Sequence, residues 1–206
     1  MIVIIDYGVG NLRSVQKAFQ HLGHEALISA DPEALLMADG VVLPGVGAFG
    51  DAMLALKQRQ LVEPLIHFAK TDKPFLGICL GMQLLFSASE EYGEHAGLDL
   101  IKGRVLKFSL DHKVPHVGWN QLGIEKSHPL VDRVNDKAHA YFVHSYYVAP
   151  TSSSVIVATT EYFISFPSMV AKGNVMGVQF HPEKSSQAGL QMLNNFAHMC
   201  EQRGNA

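Results

Sequence analysis

Short apolar runs alternate with longer amphipathic runs along the first hundred residues. Residues 2–5 are all apolar and predict a buried strand, and apolar side chains at helical spacing over residues 12–22 predict a helix that ends at Gly23. This alternation is typical of βα units around a parallel sheet. Further strands are predicted at residues 26–28, 41–43 and 75–78, with a short helix after Pro32 and with Pro44 ending the third strand.

Two later changes in the pattern complete the predicted fold. Pro64 interrupts a helical pattern over residues 49–70, and because proline removes a donor and clashes with the preceding turn, two consecutive helices are predicted. From about Gly103 the apolar period falls to two in runs rich in β-branched and aromatic residues, which predicts strands. A turn at residues 171–174 joins antiparallel neighbours, so the predicted α/β chain has a mixed sheet. No linker or composition break divides the chain into two domains.

Composition narrows the class of protein. With 206 residues, of which 48% are hydrophobic and 17% charged, the chain can bury a core as one domain. A formal net charge of −3 and scattered basic residues leave no stripe for a phosphate backbone, so nucleic acid is not a predicted partner. The apolar start stops at Asp6, far short of the ~20 residues that span a bilayer, and has no basic leader. Two cysteines predict no disulfide framework and fit a reducing cytosol.

Cys79 carries the strongest local signal for chemistry. It lies between Gly77 and Gly81, where a predicted strand ends and the amphipathic run 82–86 begins. This is the pattern of a nucleophile elbow, in which flanking glycines avoid clashes and the following amide faces a developing oxyanion. A helix N-terminus there favours the thiolate over the thiol. The alternative is a buried cysteine in a glycine-rich turn, and Cys200, at the end of an apolar tail, is predicted to pack as a small hydrophobe.

A thiolate nucleophile also needs a proton donor, and His181 follows the apolar run 178–180. In an extended segment positions i and i+2 project the same way, so we expect His181 to face Cys79 while Glu183 holds its imidazole. These three groups are then the nucleophile, base and orienting acid of a triad. The alternative is a histidine at a strand end that is simply hydrogen-bonded.

A metal site and a dinucleotide site are the competing interpretations of these residues. His116, His139 and His144 match no zinc spacing, and Cys79 stands outside any Cys-x-x-Cys pair, so no metal is predicted. Residues 45–50 match the Gly-x-Gly-x-x-Gly sequence of the dinucleotide fingerprint, but their place in the predicted fold does not match it. They follow the third strand instead of the first, and the acidic residue at the right distance, Asp72, precedes its strand. The same loop is a better source of an oxyanion amide, because the second amide of an elbow often comes from the loop after an earlier strand.

The order of elbow, glycine loop and terminal His-x-Glu resembles the class I glutamine amidotransferases. The match implies a catalytic triad of Cys79, His181 and Glu183. Within that family the chain is similar to one branch, the glutaminase subunits of imidazole glycerol phosphate synthases, and its N-terminal and tryptophan stretches decide the branch. Residues 162–169 depart from the branch, with Met169 where a smaller residue is usual. The matching stretches are residues 6–12 with 14–15, 43–49, 77–86, 115–120, 141–146 and 179–185.

The resemblance implies a fold, a reaction and a partner. The fold is a single three-layer α/β domain over residues 1–206, with a mixed, mostly parallel central sheet flanked by helices. The reaction is hydrolysis of glutamine to glutamate and ammonia through a γ-glutamyl thioester, with no cofactor and no metal. The ammonia is implied to pass to a barrel-shaped cyclase subunit, bound as a heterodimer, in histidine biosynthesis.

The resemblance also implies roles for further residues. Gln83, Glu91, Ser145 and Tyr146 are implied to hold glutamine. One oxyanion amide is implied to come from Val46 or Gly47, in the loop that begins at Gly45. The other is implied to come from Leu80. The residues implied to face the partner are Asn11, Ser14, Trp119, Tyr141 and Lys184.

Two other hypotheses stay open on the sequence. A stand-alone cysteine hydrolase of γ-glutamyl compounds needs the same thiolate and histidine but no docking surface. A non-catalytic or nucleotide-binding α/β domain is what the glycine loop indicates on its own. Trp119 also has an alternative role as a plain core aromatic, because tryptophan is common in both cores and interfaces.

Overall fold

A computed structural model describes residues 1–109 and 113–204. Within these ranges no helix is both long enough and apolar enough to cross a membrane. The elements in chain order are β1 (Ile2–Ile5), α1 (Leu12–His21), β2 (Ala26–Ser29), α2 (Pro32–Met37), β3 (Gly40–Gly45), α3 (Phe49–Gln58), α4 (Val62–Ala69), β4 (Phe75–Cys79), α5 (Leu80–Leu84), β5 (Phe86–Ser89), β6 (His95–Ala96), β7 (Ile101–Lys107), β8 (His116–Gln121), β9 (Gly123–Ile124), β10 (His139–His144), β11 (Tyr146–Pro150), β12 (Ile156–Tyr162), β13 (Ile164–Lys172), β14 (Val175–Val178) and α6 (Ser186–Gly204).

An eight-stranded sheet forms the centre of the molecule, in the order β2-β1-β3-β4-β14-β13-β12-β9. The first five strands are parallel neighbours, and the last three join antiparallel. The antiparallel part begins where β13 turns into β14 at Gly173, which has a φ of 60°. The predicted α/β class with a mixed, mostly parallel sheet is therefore confirmed.

Helices cover both faces of this sheet because side chains alternate along each strand. In β1, Ile2 and Ile4 join a core with α1 and α6, while Val3 and Ile5 join a second core with α2, α3 and α4. Phe19 of α1 and Phe196 of α6 pack at 6.3 Å between ring centroids. Burial of two apolar faces by helices on either side is the layered solution expected for such a sheet.

The strands of the second half divide among three sheets, a division that the apolar period did not indicate. Besides the central sheet, the described residues contain a four-stranded sheet, β11-β7-β5-β6, and a two-stranded ribbon of β8 and β10. The ribbon pairs antiparallel, with Trp119 opposite Tyr141 and His116 opposite His144. A period of two predicts a strand but not its neighbour, since pairing depends on contacts distant in sequence.

Two local predictions were wrong in detail. The third strand runs through Pro44 to Gly45, because loss of one donor near the strand end is tolerated, and the Pro44 carbonyl accepts a bond of 2.9 Å from the Tyr7 hydroxyl. Two helices do form from Phe49 onward, but the interruption between them lies at Gln60, which has a φ of 57°, and not at Pro64. Pro64 lies in the first turn of α4, where its missing donor has no intrahelical partner to lose.

The helix after Cys79 also differs from its prediction. It comprises only Leu80–Leu84, and all five residues are buried, so the run 82–86 is not an amphipathic helix. Phe86 already begins the next strand. Cys200 is buried beside Gly40, where an added Cβ would lie 2.1 Å from its sulfur, so it packs as a small hydrophobe.

Candidate active site

Cys79 occupies a sharp corner between β4 and α5. Its φ of 55° and ψ of −112° are unusual for a residue with a side chain, and such a conformation costs about 1–3 kcal/mol. The corner ends a strand at the carboxyl edge of the sheet, which is where ligands bind in open α/β sheets. The strained backbone points to a functional constraint on this residue.

Glycines allow the corner to pack tightly against the end of β3. An added Cβ on Gly81 would lie 1.7 Å from the Leu43 carbonyl oxygen, and one on Gly77 would lie 2.6 Å from the Gly81 oxygen. Gly45 lies on the other side, where a Cβ would meet the Tyr7 hydroxyl at 2.4 Å. These contacts leave no room for a larger residue, which gives the flanking glycines of the elbow pattern a steric reason.

His181 reaches Cys79 from the end of β14. Both residues line the same cavity, and the Nδ1 of His181 donates to Glu183 Oε1 at 2.9 Å. The segment is not extended as predicted, because Pro182–Lys184 form a 3-10 turn. Glu183 therefore meets the ring of His181 through a turn and not by strand alternation.

The main chain around His181 is held from the ribbon. His181 N donates to Tyr141 O at 3.0 Å, and Tyr141 N donates to Ser185 Oγ at 3.0 Å. The Ser185 hydroxyl in turn donates to His181 O at 2.6 Å. The imidazole is thus tied to β10, the strand that also carries Tyr141.

Burial alone lowers the pKa of His181, but hydrogen bonds and charges from Cys79 and Glu183 outweigh it and raise this pKa to about 10. The imidazole is therefore protonated near neutral pH. The pKa of His181 in the folded protein lies above its unfolded value of about 6.5. The contacts of protonated His181 therefore stabilise the fold fully below about pH 6.5, and this stabilisation is lost as the pH rises toward 10.

Replacing Cys79 with alanine is expected to lower the pKa of His181, since a hydrogen bond and an anionic partner are removed while the burial that lowers the pKa remains. A fall of more than one unit is expected, because each charge-assisted hydrogen bond is worth about 1.5–3 kcal/mol. NMR titration of the His181 ring nitrogens measures it. An unchanged pKa in the Cys79→Ala protein would contradict an ion pair between these residues.

A cavity of about 430 Å³ opens above the Cys79 sulfur. Every predicted glutamine-binding or oxyanion residue lines it except Gly45, which lies beneath the corner. Gly47 has a φ of 95° with open space around its Cα, so its peptides can turn toward the sulfur. The predicted residues along the wall are Val46, Gly47, Leu80, Gln83, Glu91, Ser145 and Tyr146, with Asn11, His181 and Lys184 also in contact with the cavity.

Glu91 is a buried carboxylate at one end of the cavity. Its Oε2 accepts a bond of 2.7 Å from the amide of Phe49, the first residue of α3. Burial raises the pKa of Glu91, and the Phe49 hydrogen bond opposes that rise only in part. The contact ties the far end of the glycine loop to the cavity wall and leaves Oε1 for a ligand donor.

Gln179 is a site residue that the sequence pattern did not single out. It is fully buried two positions before His181, its Nε2 donates to Cys79 Sγ at 3.7 Å, and its Oε1 accepts from Gln83 Nε2 at 3.0 Å. The available signal was a polar residue inside the otherwise apolar run 178–180. Pro115, Val143 and His144 also line the cavity.

Of the three histidines considered as metal ligands, two lie together. His116 Nδ1 lies 3.1 Å from His144 Nε2, whereas His139 is exposed at the other end of β10. Burial lowers the pKa of His116 to about 4 and that of His144 to about 3, so both rings are neutral. Within the part of the chain that the structure describes, no group of three or more potential ligands could hold a metal ion.

The predicted partner-facing residues lie in three places, namely at the cavity, on the ribbon and on α1. Trp119 is 53% exposed, which excludes the core alternative, and its ring lies 6.0 Å from that of Tyr141. Asn11 and Lys184 border the cavity, and Ser14 is exposed on α1. By strand alternation Trp119 and Tyr141 share the outer face of the ribbon with two exposed valines, Val117 and Val143.

Comparison with known proteins finds a matching family and similar sequences. The family model of glutamine amidotransferase class-I matches residues 3–200. The imidazole glycerol phosphate synthase subunit HisH of Methanosarcina acetivorans is 54% identical over 202 residues, covering 97% of this chain and 98% of that protein. The protein of the same description from Desulfitobacterium hafniense is 53% identical over 196 residues, covering 95% and 93%. That of Syntrophotalea carbinolica is 51% identical over 206 residues, covering 97% and 100%.

Solved structures share the fold at low sequence identity. A crystal structure described as a glutamine amidotransferase has a TM-score of 0.77 at 18% identity, covering 98% of this chain and all of that one. A structure of PurLQS from Thermotoga maritima has a TM-score of 0.72 at 17% identity, covering 98% of this chain and 97% of the matched one. With a family model that spans nearly its whole length and relatives that are more than half identical to it, the chain belongs to the class-I glutamine amidotransferases.

Proposed function

We propose that this chain is the glutaminase subunit of an imidazole glycerol phosphate synthase. The observation that carries the proposal is a buried Cys79 at a strained corner, which shares an open cavity with a protonated His181 that Glu183 holds. The high identity to subunits of that synthase over nearly the whole length of each supports the choice of branch. The family match over residues 3–200 supports one amidotransferase domain spanning residues 1–206.

In the proposed reaction the Cys79 thiolate attacks the side-chain carboxamide carbon of glutamine. The carbonyl oxygen becomes an oxyanion that the amides of Leu80 and of Val46 or Gly47 stabilise. His181 gives its proton to the leaving nitrogen, the C–N bond breaks, and ammonia leaves a γ-glutamyl thioester on the sulfur. Water then gives a proton to His181 and attacks the thioester, the C–S bond breaks with its electron pair on sulfur, and glutamate is released.

The cavity residues suit the recognition of glutamine. Glu91 presents a carboxylate oxygen that can accept from the α-ammonium group of the substrate. Gln83, Ser145 and Tyr146 line the same cavity as this carboxylate and Cys79, so they can hold the side chain and carboxylate of the substrate. Glu183 keeps the proton of His181 on Nδ1, which leaves Nε2 to serve the reacting groups.

Ammonia released here is useful to a second enzyme only if it stays unprotonated, which favours a closed path into a partner. The outer face of the ribbon offers a docking surface, because it exposes Trp119 and because Val143 of the same face lines the cavity that holds Cys79. Exposed tryptophan is enriched among residues that dominate binding energy. We propose a heterodimer with a barrel-shaped cyclase subunit, formed in the cytosol, where the free thiols Cys79 and Cys200 remain reduced, with no cofactor.

The test is co-purification of this chain with an untagged cyclase subunit, followed by assays of glutamate release. We expect a stable complex, and glutamine hydrolysis that rises on addition of the cyclase and its ligand. Full glutaminase activity without a partner would favour the stand-alone hydrolase of γ-glutamyl compounds. Saturable binding of a dinucleotide in the micromolar range, without hydrolysis, would favour a nucleotide-binding domain.

In the same experiment, Trp119→Ala is expected to weaken the complex by roughly 30-fold or more, as for a central aromatic anchor worth about 2 kcal/mol. Its melting temperature is expected to change little, since the side chain is 53% exposed. Leu54→Ala is the matched control, because Leu54 is 54% exposed on α3, away from the ribbon. Equal loss of affinity in both variants would contradict docking through the ribbon.

A further inference from the structure

One carbonyl oxygen near the active site accepts two side-chain hydrogen bonds. Tyr146 O accepts from Gln83 Nε2 at 3.1 Å and from His144 Nδ1 at 2.8 Å. A carbonyl can only accept, so the amide of Gln83 must turn its nitrogen toward Tyr146. The main chain of β11 therefore sets the orientation of the Gln83 side chain.

The orientation of Gln83 sets that of Gln179 in turn. The same nitrogen of Gln83 lies 3.0 Å from Gln179 Oε1, so one N–H donates to Tyr146 O and the other to Gln179. A flipped Gln179 would bring two NH₂ groups together. Gln179 must then point its own nitrogen at the Cys79 sulfur, 3.7 Å away. A directed chain of hydrogen bonds thus runs from the sheet to the nucleophile.

The bond to sulfur has consequences because Gln179 is fully buried. Water does not reach this position, and among the described residues the sulfur is the acceptor that the Gln179 amide nitrogen contacts. A thiolate is a stronger acceptor than a thiol. The Val143 carbonyl lies 3.9 Å from the same sulfur and can accept a hydrogen bond only from the thiol. Gln179 and Val143 therefore favour opposite ionisation states of Cys79.

Two titratable side chains, His181 and Tyr7, interact electrostatically with this sulfur. His181 is a cation near neutral pH and favours the thiolate. Burial, followed by the negative charge of Cys79, raises the pKa of Tyr7, whose phenol is therefore neutral and whose hydroxyl donates to Pro44 O. Gln179 is thus a neutral donor that acts on the thiolate in addition to the charge of His181.

We propose that Gln179 is a catalytic residue that donates a hydrogen bond to the Cys79 sulfur, oriented through Gln83 by the Tyr146 carbonyl. The bond stabilises negative charge on the sulfur and holds it in position before attack. It acts again when the thioester is cleaved, because the electron pair of the breaking C–S bond returns to sulfur and the waiting N–H stabilises it. The contact at sulfur does not depend on the partner, although its catalytic use rests on the proposed glutaminase function.

The test is the pH dependence of Cys79 alkylation by iodoacetamide, followed by intact mass in a Cys200→Ala background. Gln179→Leu is expected to move the midpoint up by about one pH unit, which leaves about tenfold less thiolate at pH values below the midpoint. Gln179→Glu, nearly the same size, is expected to move it further once the carboxylate is ionised. Glutamine hydrolysis by the complex is expected to lose roughly tenfold or more in kcat in each variant.

Ser168→Ala is the matched control. Ser168 is fully buried next to Gln179, whose backbone amide donates to its carbonyl at 2.9 Å, but its hydroxyl has no partner among the described residues. Its alkylation midpoint is expected to stay within a few tenths of a unit of the parent protein. A general loosening of the core would move the midpoint in this variant as well and would overturn the proposal.

An unchanged midpoint in folded Gln179→Leu protein would also overturn it. If that variant does not fold, as circular dichroism would show, Gln179→Glu decides, and an unchanged midpoint there has the same meaning. Alkylation needs neither glutamine nor the cyclase. If the alkylation midpoint shifts as expected but the parent complex does not hydrolyse glutamine, the proposed function is wrong while the role of Gln179 at the sulfur stands.

Discussion

Replacement of Cys79 by alanine is expected to abolish glutamine-dependent synthesis by the complex, with a loss of roughly 10⁴-fold or more. Without the sulfur no thioester forms, and the remaining oxyanion amides and His181 have no covalent intermediate to stabilise. Ammonium salts supplied at high concentration are expected to restore synthesis to the level of the parent complex, because the cyclase needs only ammonia. Both reactions are measured on the same purified complex.

Two controls separate this outcome from a structural one. Cys200→Ala removes the other thiol, which is buried on α6 away from the cavity, and should leave both reactions unchanged. The Cys79→Ala complex should also elute as the parent complex does in gel filtration, because the change removes one buried sulfur atom. Loss of the ammonium-dependent reaction as well would show that the chain acts on the cyclase in some way other than supplying ammonia.

Replacement of Gly81 by alanine is expected to give the largest loss of stability, at least about 3 kcal/mol in the free energy of unfolding. Alanine in place of glycine within a helix is normally favourable by about 1 kcal/mol. Here the added Cβ would lie 1.7 Å from the backbone oxygen of Leu43 and 2.8 Å from its carbonyl carbon. Backbone atoms cannot rotate away as a side chain can, so α5 or β3 must shift and the elbow must open.

Thermal denaturation measures this effect, and for a chain of this size 3 kcal/mol corresponds to a fall of roughly 6–12 °C in the melting temperature. Gly123→Ala is the matched control, because its Cβ would make an ordinary contact of 3.5 Å with Thr159 Oγ1. That variant is expected to stay within about 1 kcal/mol of the parent protein. Equal stability of the Gly81→Ala and Gly123→Ala proteins would contradict the packing described at the elbow.

Local sequence was a good guide wherever structure depends on nearby residues. The helix that ends just before Gly23, the hairpin at Gly173 and the corner at Cys79 all follow from backbone preferences or from apolar spacing over a few residues. The resemblance to the amidotransferases rested on the order of short motifs. It was confirmed by the family match over residues 3–200.

Longer-range features were not available from the pattern. Pro44 remains within a strand because a proline near a strand end removes a single donor, and the helix break moved from Pro64 to Gln60 because Pro64 fits a first turn. The sequence around Trp119 does not distinguish a core position from a surface position. Its exposure depends on the pairing of β8 with β10, which joins residues distant in sequence.

The amino-acid order alone therefore specifies the strand-to-helix corner, the α/β class and the residue types of a thiolate catalyst, because these depend on local backbone geometry and side-chain chemistry. The folded arrangement is needed to bring Gln179 to the sulfur and to turn its amide toward it. That direction follows from the carbonyl of Tyr146, 33 positions earlier in the chain than Gln179. Hydrogen-bond partners so distant in sequence leave no periodic trace, since each is selected by packing in three dimensions.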